Sequence, residues 1–278
     1  MPPSADTLKI AALQTVATPS VERNLATARR LIAEAAGQGA QLVALPEYFF
    51  FMGPDDRDKL AIAEAPGDGP IQAALAEAAR THAVWVIGGT LPIRIEGHPE
   101  VALNASCVYA PDGRLAARYD KLHLFRYDNG RERYDEGRVL RAGDAPVALE
   151  ADGWRVGLSV CYDLRFPELY RALSFIPGER PCDLLAVPAA FTYTTGRAHW
   201  ELLLRARAVE NQCYVVAAAQ GGVHETGRRT WGHSMIVDPW GEVLGVLPEG
   251  EGVVVAQMER ARIRSVRTQL PALEHRRL

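Results

Sequence analysis

Residues 159–168, SVCYDLRFPE, place a thiol at the end of a predicted strand. The preceding stretch WRVGLSV alternates in polarity and is rich in valine, which predicts a strand. The following stretch FPELYRALSF has helical spacing and a proline in its first turn, which predicts a helix. Cys161 therefore lies at a sharp strand-to-helix exit. A buried cysteine is usually a small apolar side chain, but a thiol at such an exit also suits a nucleophile.

Two further reactive groups also end predicted strands. Glu47 follows QLVALP and precedes YFFF, so its carboxylate is poorly solvated and suited to act as a base. Lys121 closes the strand RLAARYDK and offers a cation. Taken singly, the two have ordinary explanations as a loop carboxylate and a solvated lysine. Three such groups at three strand ends suggest a shared site, although their spacing alone leaves open whether they meet.

Composition excludes several classes of protein. The chain has 278 residues, a net charge of −3 and 48% apolar residues, so nothing global indicates binding to nucleic acid or to an anionic membrane. We find no signal-peptide pattern and no apolar run near the ~18 residues of a membrane span. Four widely spaced cysteines suit a reducing cytoplasm. The absence of CxxC and HxxxH pairs predicts that no metal is bound.

Strand and helix patterns alternate along the chain, which predicts an α/β protein. A helix over 20–39 has Ser20 as its N-cap, and the stretch PDG marks a hairpin between ALNASCVYA and RLAARYDK. Residues 122–144 are expected to form a long loop that carries five arginines. No linker is evident, so we expect one domain over 1–278, with a core of about 8–258 and a C-terminal helix and tail at 259–278.

The two halves of the chain have a similar layout. IAALQT, a helix and QLVALPEYFF correspond to VGLSVCYD, a helix and DLLAVPAAF. Any two strand–helix–strand units look alike, and this is the simpler interpretation. If the repeat is genuine, the halves form two facing sheets with their strand ends gathered together, where open α/β sheets place their sites.

Three motifs together resemble those of the nitrilase superfamily of carbon–nitrogen hydrolases. They are LPEYFF around Glu47, YDKLHLF around Lys121 and SVCYDLRFPE around Cys161, in the order and spacing of that family. The resemblance runs from about Leu8 to the C-terminus. GRAHWELLLRARAVENQCYVVAAAQ and GHSMIVDPWGEVL resemble most the branch that contains deaminated glutathione amidase and ω-amidase. This resemblance implies a four-layer α-β-β-α sandwich.

The resemblance also implies a role for each motif residue. Cys161 is the expected nucleophile that forms a thioester, Glu47 the general base and Lys121 the cation that stabilises the oxyanion. The backbone N–H of Tyr162 is the expected second donor to the oxyanion. Glu136 matches a further glutamate of the family and is expected to orient Lys121 or the substrate amide. No cofactor is expected.

Substrate binding is expected to involve Arg165, Phe191 and Thr195. Arg165 either binds a substrate carboxylate or braces the turn by pairing with Asp163 or Glu168, and the sequence leaves both open. Arginines that are candidates for binding distal carboxylates are Arg131, Arg133, Arg228 and Arg229. The expected substrate is deaminated glutathione, which yields a 2-oxo acid and a dipeptide. The alternative is ω-amidase action on 2-oxoglutaramate or 2-oxosuccinamate.

Rival interpretations are less well supported by the residues. A thiol protease needs a histidine beside Cys161, whereas His123 and His233 are expected to be structural. A non-catalytic binding module has no need of the intact set of Glu47, Lys121 and Cys161. Arginines over 260–267 alternate with apolar residues and are expected to form a solvated face rather than a nucleic-acid site. The helices at FPELYRALSF and AHWELLLRARAVENQ imply, through the resemblance, a homodimer or a higher homo-oligomer.

Overall fold

The computed structural model describes residues 6–277; residues 1–5 and 278, which belong to the expected domain, lie outside the described range. The α-helices of residues 6–277 are α1 (Val21–Gly37), α2 (Asp58–Ala61), α3 (Pro70–His82), α4 (Pro167–Ser174), α5 (Tyr193–Asn211) and α6 (Arg260–Gln269). The strands of the same range are β1 (Thr7–Gln14), β2 (Leu42–Ala44), β3 (Trp85–Ile87), β4 (Leu91–Arg94), β5 (Ala102–Tyr109), β6 (Leu115–Asp120), β7 (Arg126–Asp128), β8 (Arg133–Asp135), β9 (Leu140–Arg141), β10 (Ala148–Ala151), β11 (Trp154–Leu158), β12 (Leu184–Ala186), β13 (Tyr214–Ala217), β14 (Gly221–Val223), β15 (Arg229–Trp231), β16 (Ser234–Val237), β17 (Val243–Leu247) and β18 (Gly252–Glu259). Short 3₁₀ helices cover Glu136–Arg138 and Cys161–Arg165.

The first sheet has the order β18-β1-β2-β3-β5-β4, with β6 and β9 also paired to β5. Its central strands β1, β2 and β3 are parallel. Successive side chains of a strand point to opposite faces. In β1, Ile10 and Ala12 pack into the core shared with the second sheet, whereas Ala11 and Leu13 pack against Leu31 and its neighbours on α1. The first sheet is therefore covered by helices on one face and by the second sheet on the other.

The second sheet has the order β10-β11-β12-β13-β16-β17. Parallel pairing joins β11 to β12 and β12 to β13. Its outer face packs against α5 through Trp200, Leu204 and Ala208. Helices, sheet, sheet and helices thus follow one another, which confirms the four-layer α-β-β-α sandwich.

Each sheet contains one of the two similar halves of the sequence. The unit β1–α1–β2 lies in the first sheet and β11–α4–β12 lies in the second. A main-chain bridge between Thr15 and Gln220 joins the two sheets near their strand ends. The repeat is therefore genuine, and it brings the carboxyl ends of β2 and β11 to the same place.

Local signals account for the starts of α1, α3 and α4. The Ser20 side chain accepts a hydrogen bond from the backbone N–H of Arg23 at 3.3 Å, which caps α1 as expected. Proline occupies the first turn of both α3 and α4, where its missing N–H has no intrahelical partner to lose. α5 begins at Tyr193, one turn and a half before the predicted start. Among residues 6–277, no helix combines the length and apolar character needed to cross a membrane.

Residues 122–144 differ from the long loop that the sequence predicted. They form a two-stranded hairpin of β7 and β8, a 3₁₀ helix and the short strand β9. Asn129 shapes the hairpin turn, since its side chain accepts hydrogen bonds from the backbone N–H groups of Arg131 and Glu132. The prediction failed because strands of two or three residues are too short to show periodicity.

Two arginines of α6, Arg260 and Arg267, differ from the predicted solvated face. Arg260 donates to the carbonyl of Gly153 and lies 3.9 Å above the ring of Trp154. Arg267 donates to the carbonyls of Gln212 and Cys182. These contacts attach α6 to the second sheet, so Arg260 and Arg267 serve packing, whereas Arg264 is exposed as predicted.

Candidate active site

Cys161 occupies a strained turn at the exit of β11. Its φ is +49°, a left-handed conformation that is uncommon for residues with a Cβ. Its backbone N–H donates to the carbonyl of Pro188 at 2.9 Å. The Asp163 carboxylate accepts from the backbone N–H of Val160 at 2.8 Å, which closes the turn from the other side. The strand-to-helix exit predicted from the sequence is therefore confirmed, and backbone strain of this kind concentrates at functional sites.

Asp163 also joins this turn to the segment that carries Lys121. Its carboxylate is fully buried and accepts hydrogen bonds from the Tyr119 hydroxyl at 2.7 Å and the His123 backbone N–H at 3.0 Å. The His123 ring lies 2.7 Å from the same carboxylate through Nδ1 and stacks on Phe166. His123 therefore serves the structure of the turn, as the sequence suggested.

Glu47 follows β2, and its side chain reaches the second sheet. Its Oε1 accepts from Lys121 Nζ at 2.9 Å and from Asn104 Nδ2 at 2.9 Å. Its Oε2 accepts from the backbone N–H of Ala190 at 3.0 Å, beyond the end of β12. Gln220 holds the Glu47 carbonyl from a further strand end at 3.1 Å. The carboxylate is 1% exposed, so each of these bonds forms away from water.

Lys121 lies between two buried carboxylates. Besides Glu47, its Nζ contacts Oε1 and Oε2 of Glu136 at 3.0 and 2.8 Å. Glu136 in turn accepts from the Tyr48 hydroxyl at 2.8 Å and from the Phe125 backbone N–H at 2.7 Å. The structure thus brings together Glu47, Lys121 and Glu136, which lie 15 to 89 positions apart in the sequence.

This arrangement fixes the charges of the lysine and of one carboxylate. Burial disfavours the charged form of Lys121, but the negative charges of Glu136 and Glu47 outweigh it and raise the pKa of Lys121 above its ordinary value. Burial likewise opposes ionisation of Glu136, yet the charge and hydrogen bond of Lys121 lower the pKa of Glu136. The site therefore contains an ammonium ion held by ionised carboxylate.

The Cys161 thiol is not ionised in advance. Burial raises its pKa well above the ordinary value, and the charge of Glu47 raises it further, whereas Lys121 acts in the opposite direction. A protonated thiol beside a carboxylate is the arrangement in which a base removes the proton during attack.

A narrow cleft opens onto Cys161. The lining residues are Phe125, Cys161, Tyr162, Arg165, Ala190, Phe191, Thr192 and Thr195. All three substrate-binding candidates from the sequence, and Tyr162, therefore lie in the wall of the same cavity as the thiol. Most of this wall is apolar or aromatic, and Arg165 is its charged member, as is usual in pockets for small molecules.

Arg165 does not brace the turn in the way that one interpretation of the sequence required. Its Nη1 lies 3.2 Å from Nδ1 of His199 on α5. Its guanidinium lies 5.4 Å from the ring of Phe191 and 5.9 Å from that of Tyr162. No ion pair between Arg165 and Asp163 or Glu168 occurs among the residues described, and the Asp163 carboxylate pairs with His123 instead.

The arginines considered for distal carboxylates are not equivalent. Arg228 lies 5.2 Å from the ring of Tyr134, which packs against Phe125 in the cavity wall. Arg229 lies 3.6 Å above Tyr193 and forms an ion pair with Glu249. Arg131 and Arg133 are exposed on the hairpin of β7 and β8. None of the four arginines lines the cavity itself, and Arg228 is linked to its wall through Tyr134 and Phe125.

Neither histidine raised by the protease interpretation is a partner of the thiol. His123 is bonded to Asp163, and the Nδ1 of His233 lies 2.9 Å from the carbonyl of Trp231. His233 also stacks on the Trp231 ring at 4.1 Å. Both histidines are thus engaged in packing, and Glu47 is the carboxylate whose charge acts most strongly on Cys161.

Several residues of the site were not predicted from the sequence. Asn104 and Tyr48 hydrogen-bond the two glutamates, Phe125 lines the cavity, and Ala190 acts through its backbone. An amide within the apolar strand ALNASCVYA was a usable signal for Asn104, since polar groups buried in strands need partners. A backbone N–H such as that of Ala190 has no signal in a side-chain pattern.

Known proteins resemble this chain over nearly its whole length. The carbon-nitrogen hydrolase family model matches residues 9–268. Deaminated glutathione amidase of Synechocystis sp. is 42% identical over 269 residues, which cover 96% of this chain and 97% of that protein. Omega-amidase NIT2 of Bos taurus is 38% identical over 279 residues, with coverage of 98% and 95%.

Solved structures show the same architecture. The crystal structure of the NitFhit protein of Caenorhabditis elegans superposes with a TM-score of 0.89 at 36% identity and covers 99% of this chain and 66% of that chain. Sequence identities of this size over nearly the whole chain indicate a shared family as well as a shared fold. The protein belongs to the carbon–nitrogen hydrolase family, as its three motifs indicated.

Proposed function

We propose that the protein hydrolyses the amide bond of a small carboxylated 2-oxo-amide, with deaminated glutathione as its substrate. The observation that carries this proposal is the buried contact of Lys121 with Glu47 beside the Cys161 thiol, at one end of a cavity that holds Arg165. A base, a cation and a nucleophile are the groups that amide hydrolysis through a thioester requires.

The first half of the reaction forms the thioester. Glu47 takes the thiol proton as the Cys161 sulfur attacks the amide carbon, which makes a tetrahedral intermediate with a negatively charged oxygen. Lys121 and the backbone N–H of Tyr162 stabilise that oxygen. The carbon–nitrogen bond then breaks, and Glu47 returns its proton to the leaving amine.

The second half of the reaction releases the acid. Water enters the position that the amine has left, and Glu47 removes one of its protons as it attacks the thioester. The carbon–sulfur bond breaks, the carboxylic acid leaves, and the Cys161 sulfur recovers a proton. Glu136 remains ionised throughout and holds Lys121 in place, so it acts by positioning the cation.

Substrate recognition relies on the charged member of the cavity wall. Arg165 binds the carboxylate of the 2-oxo acid through its guanidinium, while Phe191 packs against the carbon chain and Thr195 offers a hydroxyl. A longer substrate extends past Phe125 toward Arg228, which supplies a second positive charge.

We expect kcat/KM for deaminated glutathione to exceed that for 2-oxoglutaramate by at least ~10-fold, because binding of a distal carboxylate adds about 1.4 kcal/mol in the transition state. Both substrates are assayed on one preparation by the 2-oxo acid released, which each of them yields. Arg228→Ala should reduce the value for the longer substrate and leave that for the shorter one unchanged.

A reversed ratio would assign the protein to the second candidate function, ω-amidase action on 2-oxoglutaramate or 2-oxosuccinamate. The similarity to omega-amidase NIT2 of Bos taurus supports this candidate. The roles of Glu47, Lys121 and Cys161 are the same in both cases, so the ratio tests the substrate and not the chemistry.

The proposal also includes self-association of the protein and its location in the cell. We expect at least a homodimer through α4 and α5, since Leu202 and Val209 on α5 are 68% and 48% exposed. Sedimentation velocity should give the mass of a dimer or larger assembly, and Leu202→Glu should shift it toward the monomer. A monomeric wild type at micromolar concentration would contradict this expectation. The four free cysteines accord with a cytoplasmic location.

A further inference from the structure

Five buried side chains form a closed ring of hydrogen bonds around the candidate cation. Lys121 bonds to Glu47 and Glu136, Asn104 bonds to Glu47, and Tyr48 bonds to Glu136. Asn104 Nδ2 closes the ring with a contact of 3.3 Å to the Tyr48 hydroxyl. Tyr48 and Asn104 have no role in the reaction proposed above, yet neither is more than 3% exposed.

The chemistry of the donors fixes the direction of every bond in this ring. Asn104 Nδ2 can only donate, and its two protons go to Glu47 Oε1 and to the Tyr48 oxygen. The opposite amide orientation places two oxygens against each other at Glu47, which is repulsive. The Tyr48 oxygen therefore accepts from Asn104, and the hydroxyl proton points to Glu136 Oε1 at 2.8 Å.

Tyr48 keeps this proton under ordinary conditions. Burial, followed by the charges of Glu136 and Glu47, holds the pKa of Tyr48 well above its ordinary value. The hydroxyl is thus a permanent donor to Glu136.

The three protons of Lys121 are matched by three carboxylate oxygens, which leaves none for an oxyanion. These oxygens are Oε1 of Glu47 at 2.9 Å and Oε1 and Oε2 of Glu136 at 3.0 and 2.8 Å. Catalysis requires that one contact be released. The contact to Glu136 Oε1 is the longest, and its loss leaves Lys121 bonded to both carboxylates. That oxygen then depends on the Tyr48 hydroxyl for its remaining donor.

We infer that Tyr48 is a positioning residue: its hydroxyl satisfies Glu136 Oε1, so that Lys121 can turn one N–H from this oxygen to the oxyanion. The inference rests on the proposed function, since it concerns the intermediate of amide hydrolysis. Asn104 supports it by directing the Tyr48 proton toward Glu136.

Tyr48→Phe removes the hydroxyl and little else. The kcat should fall about 10-fold to 100-fold, the range that one hydrogen bond to a charged group spans in rate, with KM changed by less than about 3-fold. The matched control is Tyr214→Phe, which removes another buried hydroxyl, one that accepts from the Glu259 backbone N–H. This control should retain wild-type kcat, because Tyr214 lies on β13 away from the ring.

A second measurement does not depend on turnover. Succinic semialdehyde can add reversibly to Cys161: a carbon–sulfur bond forms, the thiol proton passes to Glu47, and the carbonyl oxygen becomes an oxyanion beside Lys121. Its affinity is measured by the protection of Cys161 from iodoacetamide. Tyr48→Phe should weaken this affinity by about the same factor as kcat, because the same oxyanion is stabilised in both cases. The alkylation rate without aldehyde should change by less than about 3-fold, since Tyr48 does not touch the thiol.

The outcomes separate the inference from the proposed function. Loss of aldehyde affinity with unchanged alkylation supports the role of Tyr48 even if the wild-type protein hydrolyses none of the proposed amides, a result that defeats only the function. Unchanged aldehyde affinity in Tyr48→Phe overturns the inference. Parallel loss of alkylation and aldehyde affinity also overturns it, because Tyr48 then supports the site as a whole.

Discussion

Cys161→Ala is expected to abolish amide hydrolysis while leaving the fold intact. The thiol is the nucleophile of the proposed reaction, and alanine offers no atom that can form the thioester. The substitution adds no strain, because alanine and cysteine carry the same Cβ at a φ of +49°. Turnover is measured by the 2-oxo acid released, and folding by circular dichroism. Full activity in this variant would exclude the proposed mechanism.

Chemical modification provides the control for this variant. Iodoacetamide should modify Cys161 ahead of Cys107, Cys182 and Cys213, because Cys161 lines the cavity whereas the other three are fully buried. Exposure, and not acidity, is the basis of this selectivity, since burial raises the pKa of all four thiols. The rate of modification should therefore rise with pH through the neutral and mildly alkaline range, as the thiolate fraction grows. Peptide mapping identifies the modified residue, and Cys107→Ala should keep its activity.

Glu47→Gln and Lys121→Met should each reduce kcat by at least ~100-fold, the lower limit for the loss of a positioned base or oxyanion group. Glutamine cannot take the thiol proton. The side-chain amide of glutamine would also place its NH₂ group against a donor, because both carboxylate oxygens of Glu47 accept hydrogen bonds. These come from Lys121, Asn104 and the Ala190 backbone. Lys121→Met keeps the length of the side chain but removes the charge that stabilises the oxyanion. Steady-state kinetics on the preferred amide provide the measurement.

Glu64→Gln is the matched control for the loss of a buried carboxylate. Glu64 is 3% exposed and accepts from the backbone N–H groups of Ile71 and Gln72 at the start of α3, away from Cys161. The Glu64→Gln substitution should reduce the stability of the protein without reducing kcat. The double variant of Glu47 and Lys121 should lose less than the sum of the two single effects in free energy, because the two groups act as one unit. A kcat within a few-fold of wild type for either single variant would contradict the role of that residue.

Local sequence patterns determined the elements and the placement of the three reactive groups along them. Alternation in WRVGLSV and helical spacing in FPELYRALSF located the turn at Cys161, and Ser20 located the start of α1. These features depend on interactions between residues close in the chain, so a short stretch carries the information. The three motifs together also indicated the family, and hence the four-layer architecture.

Only the tertiary structure decided how the site is assembled. Glu47 meets Ala190 across 143 positions, and Tyr48 meets Glu136 across 88, because the two sheets face each other. The same packing places the Arg165 guanidinium beside His199 rather than beside a neighbour in its own turn. It also places Phe125 in the cavity wall. Such contacts join residues whose local patterns are independent of each other. Their geometry follows from the stacking of the sheets, which no short stretch of the chain encodes.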